Sequence, residues 1–169
     1  MTAAPALAHL DETGRARMVD VGAKMRSARF ARAEALVEVG PEIARQLEAT
    51  GGVAKGNVLD TARLAGILAA KRTGELIPMC HTLELDVVDV TCELRQTAIV
   101  ITASARCQGR TGVEMEAMTA AAIAALTVYD MCKSAGKGIV IRQVRLLEKA
   151  GGKSGHWGPD GEAAGKDEG

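Results

Sequence analysis

Asp130 and Lys133 stand three residues apart, the spacing that makes two side chains neighbours on one helix face. They close a stretch from Gly112 to Lys133 that opens with two carboxylates, Glu114 and Glu116, and carries no charge between Ala117 and Tyr129. The stretch reads as one long helix buried nearly all round. Asp130 and Lys133 are then expected at the rim of an apolar body, where ionisable groups are strained and acid–base roles concentrate. Desolvation there would lower the pKa of Lys133 and help it move protons near neutrality. Glu116 lies fourteen residues before Asp130, which is about 40° around the helix and about 21 Å along it. One small ligand is not expected to touch both, so a site using both would draw the second from another subunit. On spacing alone, an exposed Asp130–Lys133 ion pair worth a few tenths of a kcal/mol is an equal reading.

Three further segments hold reactive or anion-binding side chains. Lys55-Gly56-Asn57 precedes a helix N-terminus and Arg63 follows within it, a favourable place for phosphate because backbone N–H groups and the helix dipole add to the cations. An ordinary capped helix would look the same. Pro78-Met79-Cys80-His81 contains the one histidine away from the termini, an acid, base or phosphate-oxygen donor near neutral pH. Zinc is not expected at this Cys-His pair, because tetrahedral zinc needs three or four ligands and no second cluster supplies them. Lys149-Ala-Gly-Gly-Lys-Ser-Gly resembles the end of a phosphate-binding loop, but Leu147 stands where that pattern needs glycine and no helical pattern follows. A mobile basic arm carrying Lys149 and Lys153 over an anionic ligand, and a flexible C-terminal linker, are the remaining readings.

The elements that must position these residues alternate along the chain. Phe30 to Val39 has the period-2 pattern of a half-buried strand. Gly40-Pro41 opens a short helix that Gly51-Gly52 ends, and Asn57 caps a longer one running to about Arg72, stopped by Gly74. Residues 85–94 and 98–107 read as two strands joined by a turn at Arg95-Gln96-Thr97. A change of phase near Val88-Asp89 suggests a bulge or burial on both faces. After the long helix, residues 138–147 supply a last strand. Without the short helix the order is β-α-β-β-α-β, an α+β, ferredoxin-like sandwich with an antiparallel sheet. The expected organisation is an extended arm over 1–28, one domain over 29–148, a Gly/Lys-rich arm over 149–157 and a disordered tail over 158–169.

With 169 residues, 47% hydrophobic and 25% charged, the chain suits one soluble globular domain. Phe30, Tyr129 and Trp157 are its only aromatics, which removes the stacking platforms of single-stranded nucleic-acid binders. Twenty-one basic residues balance 21 acidic ones, so no net field draws it to nucleic acid or an anionic membrane. Its longest uncharged run is short for a bilayer span and its N-terminus is a poor signal peptide, so a cytoplasmic protein is expected. Cys80, Cys92, Cys107 and Cys132 form no Cys-x-x-Cys pair and read as reduced.

Taken in order, these segments resemble the molybdenum cofactor biosynthesis protein C family, the cyclic pyranopterin monophosphate synthases. The matching pieces include Met18-Val-Asp-Val, Lys55-Gly-Asn-Val, Leu76-Ile-Pro-Met-Cys-His, Thr111-Gly-Val-Glu-Met-Glu-Ala-Met and Leu126-Thr-Val-Tyr-Asp-Met-Cys-Lys. Val144-Arg-Leu-Leu-Glu-Lys-Ala-Gly-Gly-Lys-Ser-Gly completes them. Thr82 departs from the proline usual after Cys-His. The resemblance implies a homohexamer, a trimer of dimers, with active sites between subunits. It implies that 3',8-cyclo-7,8-dihydroguanosine 5'-triphosphate is rearranged to cyclic pyranopterin monophosphate with release of pyrophosphate. It assigns acid–base catalysis to Asp130, with Lys133 and Lys55 beside it, and substrate contacts to Met79, Cys80, His81, Met115 and Glu116. Arg63, Arg72, Lys149 and Lys153 are its candidates for the triphosphate. No cofactor is required, with Mg²⁺ an optional companion of the triphosphate. A phosphate-binding regulatory module and a purely structural oligomer are the rival classes.

Overall fold

Ala31, Ala33, Ala35 and Val37 alternate along strand β1 (Ser27–Glu38), and all four are fully buried, as a strand with one face in the core requires. The computed structural model describes residues 13–54 and 56–159. Lys55, residues 1–12 of the expected arm and residues 160–169 of the expected tail lie outside the described residues.

Strand β1 pairs antiparallel with β5 (Ala98–Gly109) and β6 (Val140–Ala150), and β5 pairs antiparallel with β4 (Val87–Arg95). The sheet order is β4-β5-β1-β6. Two helices, α2 (Val58–Lys71) and α4 (Glu114–Cys132), pack on each other and against one face of this sheet. The larger elements thus follow the expected ferredoxin-like α+β order. On the other face, ion pairs tie β1 to β6: Arg32 to Glu148 at 2.8 Å, Glu34 to Arg145 at 3.1 Å and Glu38 to Arg142 at 2.7 Å.

The smaller elements fill the first crossover. Helix α1 (Gly40–Thr50) has Pro41 in its first turn and ends at Gly51, whose φ of 66° is left-handed. A ribbon of β2 (Gly52–Val53) and β3 (Gly56–Asn57), not foreseen from sequence, follows. Asn57 caps α2 by accepting a hydrogen bond from the Asp60 N–H at 3.0 Å. Gly74 does not end α2. The helix breaks at Arg72, and Gly74 sits inside a single turn, α3 (Thr73–Leu76).

Two strand details differ from expectation. The β4–β5 register runs from Val87↔Arg106 to Arg95↔Ala98 without a shift; the apparent change of phase arises because Leu85 lies before the strand. The bulges occur instead in β6, which shifts against β1 between Arg32 and Ala33 and again between Leu36 and Val37. That strand also continues to Ala150, so Lys149 is a strand residue whose backbone exchanges hydrogen bonds with Trp157, both at 2.9 Å.

Helix α4 is not buried all round. Ala117, Ala120, Ala121, Ala124, Ala125 and Val128 are fully buried, whereas Leu126 and Tyr129 are 54% and 43% exposed. A two-layer fold covers a helix on one face and one flank only. Helix α4 is long and apolar enough to cross a membrane by composition, but here it packs on α2, β1, β5 and β6.

Gly66 marks the closest approach of the two helices. A Cβ there would lie 2.9 Å from the Ala120 carbonyl oxygen and 3.3 Å from both Ala124 and Val90. Helix propensity alone would make Gly66→Ala stabilising by about 1 kcal/mol. The overlap with backbone outweighs it, so this substitution should destabilise by about 1–3 kcal/mol in urea denaturation.

Candidate active site

The first turn of α4 divides its two carboxylates between opposite environments. Glu116 points inward and is 3% exposed. Burial, reinforced by the charge of Glu114 and opposed by a backbone hydrogen bond, pushes its pKa up to about 7. Cys80, half-buried in the loop after α3, lies close enough to feel that carboxylate: burial first, then Glu116, raises the pKa of its thiol. Cys80 is therefore a thiol and not a thiolate nucleophile at neutral pH. Met79 and His81 flank it and are half-buried too. The loop is held against α3, where a Cβ on Gly74 would lie 2.9 Å from the Thr82 hydroxyl.

Glu114 turns the other way, into a cavity of about 680 Å³ at one edge of the sheet. Lys24, Arg29, Arg110, Lys149 and Lys153 line this cavity, and Glu114 is the one carboxylate among the described lining residues. Glu114 accepts a hydrogen bond from Lys149 Nζ at 2.9 Å, both side chains being about one-third exposed. The antiparallel register collects these cations. Ser27 at the start of β1 faces Gly109 at the end of β5, and Phe30 faces Ala150 at the end of β6. Lys149 turns inward because Leu147 is bulged out between the pairs Arg32↔Glu148 and Ala33↔Leu146, so Leu146 and Lys149 share the inner face. Gly151 and Gly152 then let the chain lie against β1, since a Cβ on either would collide with Ala28 or Arg29. Five cations against one carboxylate concentrate a polyanion, and guanidinium forks match phosphate oxygens.

The far end of α4 carries the Asp130–Lys133 pair, 2.6 Å apart with both side chains more than half exposed. The hydrogen bond from Lys133 to Asp130 and the carboxylate's charge raise the lysine's pKa. This overturns the expected lowering, because in the single chain the ammonium is in water and not at an apolar rim. The helices α2 and α4 run in opposite directions: Gly66 meets Ala120 and Ala124 near mid-length, and Cys80, beyond the end of α2, lies by Glu116 at the start of α4. The start of α2, at Val58, therefore lies toward the Asp130 end.

One chain thus presents two groups. Lys149 and Lys153 line the groove at the start of α4, where Glu116 and Cys80 lie near each other without lining it, while Asp130 stands about 21 Å from Glu116 along the helix with Lys133 beyond it. Met115 is 37% exposed on α4 beside the first group. Arg63 is exposed on α2, with its charge felt at Cys92 of β4, and Arg72 is exposed where α2 meets α3; neither lines the groove. Lys24, Arg29, Arg110 and Glu114 were not singled out from sequence as site residues. Arg29 had a readable signal: it keeps phase with Ala31 and Ala33, placing a charge on the inner face of a strand.

Fold and site together define an α+β protein of ferredoxin-like topology with a polybasic cleft at one sheet edge and an exposed acid–base pair across the helix layer. The chain belongs to the MoaC family, whose model matches residues 18–152. It is 56% identical over 158 residues to a protein of Bordetella petrii named cyclic pyranopterin monophosphate synthase, covering 92% of this chain and 97% of that one. A protein of the same name from Methylobacterium sp. (strain 4-46) is 55% identical over 91% of this chain and 97% of its own. Molybdenum cofactor biosynthesis protein 1 of Drosophila melanogaster is 55% identical over 87% of this chain and 26% of its own length.

The raised pKa of Glu116 makes stability depend on pH. Its folded pKa, about 7, exceeds the ordinary 4.5, so the folded state holds the proton more tightly. The stability this gives is complete below about pH 4.5 and is lost as pH rises through 7. Wild-type protein should lose on the order of 2–3 kcal/mol between pH 5 and pH 8 in urea denaturation. Glu116→Gln should flatten that slope, and an unchanged slope would mean that Glu116 is ionised throughout.

Proposed function

We propose that this chain is a cyclic pyranopterin monophosphate synthase of molybdenum cofactor biosynthesis. It rearranges 3',8-cyclo-7,8-dihydroguanosine 5'-triphosphate to cyclic pyranopterin monophosphate and releases pyrophosphate. The observation that carries this reading is the 680 Å³ groove with its five cations, which suits a triphosphate, and the names of the relatives agree with it. Opening and rebuilding the purine-derived ring needs proton transfers at nitrogen and carbon, which Asp130 and Lys133 supply, with Lys55 a third proton-transfer group. Closing the cyclic phosphate needs a sugar hydroxyl to attack the α-phosphorus while pyrophosphate departs, and Lys149, Lys153 and Arg29 neutralise the leaving charge. The triphosphate brings any Mg²⁺ with it, and no cofactor is held by the protein.

The site is completed between chains of a cytoplasmic homohexamer, a trimer of dimers. Two observations support this. The groove and the Asp130–Lys133 pair are too far apart for one ligand. Leu64 and Leu68 on α2 and Leu126 and Tyr129 on α4 are each more than two-fifths exposed, an apolar surface of the kind that subunits cover.

Purified protein given the cyclised triphosphate should release product and pyrophosphate in equal amounts. Asp130→Ala and Lys133→Ala should each lower kcat by about 10²–10⁴-fold. Triphosphate binding without turnover would leave a phosphate-ligand module instead. Co-assembly tests the shared site: Asp130→Ala and Lys149→Ala chains, each inactive alone, should recover about a quarter of wild-type activity when mixed at random, because half the pairs are mixed and each has one intact site. No recovery would place each site within one chain.

A further inference from the structure

Glu114 is a carboxylate set in a groove otherwise built for anions, and nothing in the proposed reaction uses it. Its Oε1 accepts from Lys149 Nζ at 2.9 Å. Its Oε2 lies over Gly112, where a Cβ would collide with it, so the missing side chain at Gly112 makes room for this pose. Both partners are only partly buried, 28% and 36% exposed, and so can separate without moving the backbone. Among the described residues no second carboxylate lines the groove.

Resting on the reading of the groove as a triphosphate site, we propose that Glu114 is a built-in competitor for Lys149. An incoming phosphate must displace its carboxylate, and the carboxylate in turn displaces pyrophosphate after the reaction. The physical need is plain. Five cations hold pyrophosphate as well as they hold the triphosphate tail from which it comes, so a groove of cations alone would retain its product. An internal anion tethered by two methylenes to the first turn of α4 weakens both ligands and costs no diffusion to return. Charge-assisted hydrogen bonds are the strong ones, so exchanging one carboxylate for a phosphate oxygen on the same ammonium is close to balanced. Ligands with several phosphates still bind, through the four cations that Glu114 leaves free.

Calorimetric titration with inorganic pyrophosphate, and with a purine nucleoside triphosphate as a non-reacting probe, tests this on the assembled protein. Glu114→Gln should tighten pyrophosphate about tenfold, equivalent to about 1.4 kcal/mol. Its turnover should become correspondingly more sensitive to added pyrophosphate. In a Lys149→Ala background the same substitution should change the affinity less than about twofold, because the competition is for that lysine. Gly112→Ala keeps the charge but evicts the carboxylate from its place, and should tighten pyrophosphate in the same direction; it serves if Glu114→Gln fails to fold. Unchanged or weaker pyrophosphate binding by folded, correctly assembled Glu114→Gln overturns the proposal and makes Glu114 a brace that holds Lys149 ready. Failure of the wild type to bind either probe overturns the groove reading as well, whereas a Glu114→Gln tightening that persists undiminished in the Lys149→Ala background overturns the competition alone.

Discussion

Contact between small side chains fixes the position of the rest. Ala31, Ala33 and Ala35 of β1 and Ala103 and Ala105 of β5 meet a helix whose buried face is Ala117, Ala120, Ala121, Ala124 and Ala125, and none of these is exposed at all. A methyl group is the shortest apolar side chain, so the backbones approach closely and the helix has little freedom to slide or rotate. With 19 residues, α4 spans about 28 Å. It therefore crosses the whole sheet as a rigid bar, and its charged residues can lie only where it emerges. The separation of Glu116 from Asp130 follows from that packing and cannot be closed by side-chain motion. Any chemistry that needs both ends must be assembled from more than one chain.

The same rigidity explains why neighbouring carboxylates behave so differently. Glu114 and Glu116 are two apart, and such residues face opposite sides of a helix. One is driven into the layer between helix and loop, where the cost of burying charge raises its pKa to about 7. The other meets an ammonium at the edge of the sheet. Sequence composition treats them as equivalent; the helix phase, set by the alanines, decides which is buried and which becomes an ion-pair partner. At the far end, Asp130 and Lys133 pair with each other and not with the sheet, and both side chains stay more than half exposed.

Much of this architecture could be read from the residues. Alternation in β1 and β5, the Asn57 cap, the glycine stop at Gly51 and the length of α4 each rest on local rules that tertiary packing did not override. Full burial of α4 was misread because uncharged is not the same as covered: Leu126 and Tyr129 satisfy the first condition and not the second. The members of the basic groove were harder to see. Lys24 and Arg29, Arg110, and Lys149 come from three separate stretches, and only the antiparallel register brings them to one edge. Register is a long-range property, invisible to a window of ten residues.

Lys149 shows how finely that register acts. Val144 and Leu146 face inward opposite Ala35 and Ala33, and strict alternation from Leu146 would send Glu148 inward and Lys149 out. The groove would then lose a cation and gain a carboxylate, a change of two charges in a cavity with one carboxylate to begin with. The extra residue at Leu147 restores the opposite phase: Glu148 pairs outward with Arg32, and Lys149 turns in toward Glu114. The bulge is thus an electrostatic device as much as a backbone irregularity. It also accounts for the false resemblance of residues 149–155 to a phosphate-binding loop. The glycines there fit the chain closely against β1, while the positive charge in the groove comes from a side chain that the bulge has turned.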